Sequence, residues 1–328
     1  MSEGDRPAET TSRVIPLHGA SRFRRLPPLG SAADVARRLA ALEQQVEEAL
    51  GADRLGRATP FIEAAVEELL ATLVAARTWL ADQSVGVSPS VLGDLSLAVL
   101  ARWWWRIDVV GRERIPAGAA LLVANRGSAL LPYEALMGAV ALTGSDRGRV
   151  VQPFVDEWLV DLPLLGAALR GLGAEPARAA RLRRVLERGD AALVFPEGRD
   201  AVARPYAEAY RIGRLARTGL LRVAIETGAP IVPVAVIGVD EVHPVLARIP
   251  LAGLAGLLGV PALPLPASVV PLPTKWRIFV GEPFDVRARH GADDARDPAA
   301  LRALATRVRE RLQALVSDGL RRRRSIFF

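Results

Sequence analysis

The sequence predicts an α/β fold: a mostly parallel sheet flanked by helices, preceded by an N-terminal helical hairpin. Three observations carry this. Uncharged apolar runs at 119–124, 191–195 and 231–238 have the length and composition of strands buried on both faces. Segments with a helical apolar stripe lie between them, at 134–142, 177–188 and 215–227. Gly and Pro punctuate the joins, as in Gly228-Ala229-Pro230 before the last of these runs. Strands alternating with helices imply parallel pairing, because a parallel neighbour needs a crossover.

Along the chain, residues 1–30 are rich in Ser, Arg, Pro and Gly and read as a disordered tail. Residues 31–95 read as a helical extension. Val35, Leu39, Leu42, Val46 and Leu50 form one stripe, and Thr59-Pro60 starts a second helix carrying Ile62, Val66, Leu69, Leu73 and Leu80. This hairpin is expected to pack as an accessory, with a membrane or dimer contact as the other reading. The α/β domain is expected over 96–290, with further strands at 107–110, 149–154 and 275–280. Residues 291–328 close the chain with a helix at 298–315 and a basic tail.

One segment departs from the pattern. Residues 249–273 run for 25 positions without a charge, but six prolines follow Ile249. Proline removes a helical hydrogen bond, so a spanning helix is not expected. An apolar loop is, either packed on the domain or dipping into a lipid interface.

Composition narrows the chemistry. There is no cysteine, which excludes disulfides, thiolate metal sites and cysteine nucleophiles. His18, His243 and His290 are too far apart in sequence to suggest a metal site, and none is expected. The formal charge of +7 favours anionic partners: phospholipid surfaces, acyl-CoA or nucleic acid. The excess is arginine, since Lys275 is the only lysine. No groove-reading motif or interleaved aromatic platform supports nucleic acid, so that partner is set aside. The first thirty residues lack a signal-peptide pattern, and a cytoplasmic protein, peripheral on the inner membrane, is expected. Trp103, Trp104 and Trp105 cannot all face a core, which leaves one for an interface. Arg321 to Arg324 with Phe327-Phe328 reads as a basic-aromatic membrane contact or a frayed tail. The arginines of the 177–188 helix read first as a solvated face, with phosphate tracking by Arg181, Arg184 and Arg188 as the other reading.

The motif that carries most chemistry is Phe195-Pro196-Glu197-Gly198, followed by Arg199 and Arg204. A carboxylate on a strand-end turn with two guanidinium groups behind it suits an anionic substrate at the end of a sheet. Solvated loop charges are the plainer reading of the two arginines. The segment closely resembles the Phe-Pro-Glu-Gly motif of the glycerol-phosphate and lysophospholipid acyltransferases, including the 1-acylglycerol-3-phosphate type. The resemblance extends over roughly 104–286. It takes in Ala229-Pro230-Ile231-Val232-Pro233-Val234, Arg204-Pro205-Tyr206 with Tyr210-Arg211, and Lys275-Trp276-Arg277 with Gly281-Glu282-Pro283.

The resemblance implies an acyltransferase-like sheet and transfer of an acyl chain from an acyl thioester, acyl-CoA or acyl carrier protein, to a lysophospholipid or glycerol-type acceptor. No cofactor is implied. The family deprotonates the acceptor with a His oriented by a later Asp, in a motif that begins Asn-His after an apolar strand. Here that strand leads to Asn125-Arg126-Gly127-Ser128, so Arg126 stands in the histidine's place. The Asp position holds Leu131 at the commonest spacing, or Glu134 at a longer one. An arginine stays protonated and cannot be the base. Glu197 and Glu134 are the carboxylates expected at the chemistry, with His243 as a substitute base. Asn125, Arg126, Ser128, Gly198, Arg199 and Arg204 are expected to bind substrate, Arg126 alternatively pairing with Glu197 or Glu134. Two readings follow: an acyltransferase with impaired activity, or a non-catalytic lipid- or acyl-CoA-binding pseudoenzyme.

Overall fold

The computed structural model describes residues 97, 100–129, 131–143, 150–162, 165–249, 262–268, 271–289 and 291–327. They belong to one compact unit, Glu67–Phe328. The tail expected at 1–30, the helical hairpin at 31–95, His18, His290 and Phe328 lie outside the described residues.

Seven strands form the main sheet: β1 (Asp108–Val110), β2 (Ala120–Ala124), β3 (Val151–Val155), β4 (Glu175–Pro176), β5 (Ala191–Val194), β6 (Ile231–Ile237) and β9 (Arg277–Val280). Their order is β1-β9-β6-β2-β5-β3-β4. Every neighbouring pair is parallel except β6 with β9, where Ile237 stands opposite Arg277. The predicted sheet is therefore present. The reversal at β9 was not foreseen, because an apolar run carries no sign of its direction.

The uncharged strands explain the layers. Successive side chains on a strand point to opposite faces. Leu121 and Val123 of β2 join one buried cluster, while Ala120, Leu122 and Ala124 join the other. Beneath the first face lie α4 (Ala179–Glu187), α5 (Thr218–Thr227) and α6 (Pro298–Arg322). The second carries α1 (Tyr133–Leu142), α2 (Glu157–Asp161) and α3 (Leu165–Gly171). Helix α6 begins at Asp297, whose side chain accepts from the amides of Ala299 (2.8 Å) and Ala300 (3.1 Å). Its Leu301, Leu304, Ala305, Val308, Leu312 and Val316 follow helical spacing and are buried. The helix runs past the expected stop at 315, so Arg321 and Arg322 fall in its last turn, where cations oppose the helix dipole.

The segment expected as a plain apolar loop contains a strand. Leu263–Pro266 (β8) pairs antiparallel with Val245–Ile249 (β7) in a separate two-stranded sheet. Proline is tolerated here because, among the described residues, β8 has a partner strand on one side only. Residues 250–261, 269 and 270 lie outside the described set. No described helix is long and apolar enough to cross a membrane. The arginine-bearing helix α4 is tied down at its surface: Arg178 pairs with Glu157, Arg181 with Glu175, and Arg183 with Glu226.

Candidate active site

Because β2, β3, β5 and β6 are parallel, the residues following them meet at one end of the sheet. Asn125 follows β2, Asp156 follows β3, Pro196-Glu197 follow β5 by one residue, and Gly238 follows β6. Ligands of open α/β sheets bind at this carboxyl end.

Asn125 is fully buried. Its Nδ2 donates to the Val236 carbonyl (3.0 Å) and its Oδ1 accepts from the Val236 amide (2.7 Å). Its amide thus continues the β2–β6 ladder in place of backbone, which fixes where the following loop departs. Arg126 comes next and is only 2% exposed. Its Nη1 donates to Glu134 Oε1 at the start of α1, and its Nε lies 3.4 Å from Asp156 Oδ2. Asp156 holds a second cation, Arg217 Nη2, at 2.7 Å. Ser128 contributes backbone: its amide donates to Asp240 Oδ1 (2.9 Å) and its carbonyl accepts from the Ala203 amide (3.0 Å).

On the other side, the turn after β5 buries Glu197. Its Oε2 accepts from Arg204 Nη2 (2.5 Å) and the Gly213 amide (2.7 Å), and its Oε1 accepts from the Arg126 amide (3.2 Å). One carboxylate therefore joins three loops. Gly198 occupies the left-handed region with φ of 63°. A methyl group there would stand 2.9 Å from Arg217 Nε. Gly198→Ala is expected to cost about 1–2 kcal/mol from backbone strain alone and to loosen the Arg217–Asp156 pair. A urea unfolding midpoint equal to wild type would refute this.

Asn125, Arg126, Ser128, Glu134, Glu197, Gly198 and Arg204 come together in this cluster. Arg199 does not join its buried part. It is exposed on the short 3-10 turn Gly198–Ala201. His243 is held elsewhere, with Nδ1 2.8 Å from the Ser268 carbonyl and Nε2 3.2 Å from the Tyr133 hydroxyl. A carbonyl only accepts, so Nδ1 carries the proton and Nε2 accepts from Tyr133. Burial lowers the His243 pKa, with the Ser268 bond opposing. Burial and then Glu134 push the Tyr133 phenol up to about 12. The sequence reading missed Asp156, Arg217 and Asp240. The usable signal was position: Asp156 directly follows a strand at the same sheet end as Asn125.

Electrostatically the cluster is dense, and its charged side chains are buried. Burial raises the Glu134 pKa, against the pull of Arg126. Burial likewise raises that of Glu197, against Arg204 and the Gly213 and Arg126 amides. Desolvation works against the charge on Arg126, but Glu134, Asp156 and Glu197 outweigh it and the net shift is upward. Arg126 is thus a fixed cation. Its Nε and Nη2, and Nη1 of Arg204, are buried and without a hydrogen-bond partner among the described residues. So are two acceptors, Glu134 Oε2 and Asp156 Oδ2. Buried polar atoms left unpaired are costly, and guanidinium donors in the same cluster as carboxylate oxygens suit a ligand carrying both an anionic group and a hydroxyl.

Residues 106–237 match the family model described as Acyltransferase. An uncharacterised protein of Mycobacterium tuberculosis is 38% identical over 235 residues, 69% of this chain and 64% of that one. The chain therefore spans under two thirds of the length of that relative. A mouse protein named DGAT1/2-independent enzyme synthesizing storage lipids is 25% identical over 215 residues, 65% of this chain and 60% of its own. Among solved structures, the 1-acyl-sn-glycerophosphate (LPA) acyltransferase PlsC from Thermotoga maritima is similar at 19% identity and a TM-score of 0.46. That likeness covers 72% of this chain and 80% of the other. The Phe-Pro-Glu-Gly turn and the strand leading to Asn125 both lie inside the stretch that is similar to the acyltransferase family.

Proposed function

We propose that this protein transfers an acyl chain from an acyl thioester, acyl-CoA or acyl carrier protein, to a lysophospholipid or glycerol-type acceptor, at a rate held down by Arg126. The observation that carries this reading is the pair of buried, unpartnered donors, Arg126 Nη2 and Arg204 Nη1, beside the Glu197 turn. They supply two N–H groups for an anionic acceptor group, in a low-dielectric site where such bonds are strong.

In the reaction, the acceptor hydroxyl oxygen attacks the thioester carbon. The C–S bond then breaks, and the thiol leaves with the proton the hydroxyl gave up. No cofactor takes part, since the activated acyl group arrives on the donor. What the site lacks is an imidazole base at the strand β2 end, where Arg126 stands. Arg126 is locked as a cation, and Glu134 is held against it. Losing a general base costs about 10²–10⁴-fold. Orientation of the acceptor by Glu197, Arg204 and Arg126 remains, so turnover is slow rather than absent. A peripheral place on the cytoplasmic face of the inner membrane goes with this reading.

The closed Arg126–Glu134 pair favours a second reading, a non-catalytic protein that binds lysophospholipid or acyl-CoA at the same site. One assay separates the two. The purified protein is incubated with long-chain acyl-CoA and a panel of lysophospholipids and glycerol phosphates, and free thiol is followed. The chain has no cysteine, so it adds no background. Slow, acceptor-dependent release that disappears in Glu197→Gln supports the enzyme. Absence of release with every acceptor, with lysophosphatidate binding still measurable by calorimetry, establishes the binder instead.

A further inference from the structure

We infer that the corner built by Trp103, Trp104 and Phe327, with the arginines around them, docks on an anionic phospholipid surface. The topology places this corner. Strand β9 runs against β6, and β1 runs parallel to β9, with Asp108 opposite Arg277. The start of β1 therefore stands at the same sheet end as Asn125 and Glu197. Residues 103–106 enter β1 from that end, so the corner lies on the substrate side of the molecule.

Local structure then decides which tryptophan is inside. Trp105 is buried, stacks on Trp276 with ring centres 5.1 Å apart, and donates from Nε1 to the Leu272 carbonyl (3.1 Å). Its neighbours cannot follow it. Trp103 is 73% exposed and Trp104 is 38% exposed. Arg106 takes a left-handed φ of 44°, rare for a side-chain-bearing residue. From there its guanidinium donates to the carbonyls of Trp104 (3.2 Å), Pro273 (2.9 Å) and Phe327 (2.5 Å). The Lys275 amide donates to the Ile326 carbonyl (2.7 Å), and Arg277 Nη1 to that of Arg322 (3.0 Å). The tail after α6 is thus pinned beside the tryptophans, and Phe327 is 41% exposed.

Single exposed aromatics are ordinary on a protein surface. Here Arg106 joins Trp104 to Phe327, with Trp103 next to Trp104 in the chain, and backbone strain of this kind persists where surrounding contacts impose it. Charge names the partner. Arg102 and Arg324 are exposed, as are Arg321 and Arg322, which share the single carboxylate of Asp318. Tryptophan seats at the level of lipid headgroups, and clustered arginines are drawn to anionic ones. A second copy of this chain would bring the same positive charge and be repelled.

The inference is independent of the proposed reaction, because vesicle binding is read without an acyl donor. The full chain is floated with phosphatidylglycerol–phosphatidylcholine vesicles and with phosphatidylcholine alone, at low and high salt. Binding is expected only with the anionic vesicles and is expected to weaken with salt. Two paired variants, Trp103→Ala with Phe327→Ala and Arg102→Glu with Arg324→Glu, change exposed side chains, and circular dichroism checks their fold. Each pair is expected to lower vesicle affinity about tenfold or more. Unchanged binding in both pairs overturns the inference. So does a wild type that ignores vesicles while the aromatic pair dissociates a dimer in light scattering.

Discussion

Arg126→His is expected to raise acceptor-dependent thiol release by about 10²-fold, the lower end of what a general base supplies. The residue already sits where a base is needed, directly after Asn125, whose two bonds to Val236 fix the loop's origin. Glu134 already contacts the side chain at 126, so an imidazole placed there has a carboxylate to hold its second nitrogen. The low end is chosen for two reasons. An imidazole is shorter than a guanidinium, so Glu134 must follow it. Asp156, 3.4 Å from Arg126 Nε, also favours the protonated ring. A variant that folds, binds acceptor and shows no gain would mean that more than the base has been lost.

The second large effect is on stability. Glu134→Ala is expected to cost about 3 kcal/mol, because it strands a buried cation whose pair is worth about 3–5 kcal/mol when one partner is removed. Asp156 stays as a second, longer partner, which keeps the cost at the bottom of that range. Removing both charges together, as Arg126→Met with Glu134→Leu, is expected to restore stability to near wild type, since apolar replacement of a buried pair is often neutral or better. Urea unfolding of the two proteins checks this. If the double variant is as unstable as the single one, the cost comes from packing around α1 and not from the stranded charge.

How much of this was legible follows from what a pattern encodes. The runs at β2, β5 and β6 were readable because both faces of the sheet are covered and every position is apolar. Direction was not readable, so β9 was found but its reversal was not. Strand β8 was hidden by its own prolines, Pro264 and Pro266, which argue against a strand unless it is paired on one side only. At the site, Arg126, Glu134, Glu197 and Arg204 lie within two short motifs and were named. The pairing of Arg126 with Glu134 was one of two open options. Asp156 and Arg217 belong to no motif, and only the fold brings them to Arg126. Asp240 shows the same limit, since its carboxylate joins Ser128 to Tyr210 across separate loops. A change of exposure also decided the tryptophans. Three identical neighbours gave no sequence ground for choosing Trp105 as the buried one.

The reversal at β9 has a consequence for how this architecture can vary. The chain leaves the sheet after Ile237 and re-enters it at Arg277, the residue paired with Ile237. Everything between is an excursion whose two ends are anchored side by side, and it includes the β7–β8 hairpin. Through Arg248 Nε, 2.9 Å from the Ala203 carbonyl, that hairpin rests on the loop that follows the Glu197 turn. Lengthening such an excursion is cheap, about 0.6 kcal/mol for each doubling, and disturbs no strand of the main sheet. The protein thus has a cassette: the β7–β8 hairpin can be exchanged to reshape what rests on the loop after the Glu197 turn, while Asp240, at the start of the excursion, stays to hold Ser128 and Tyr210.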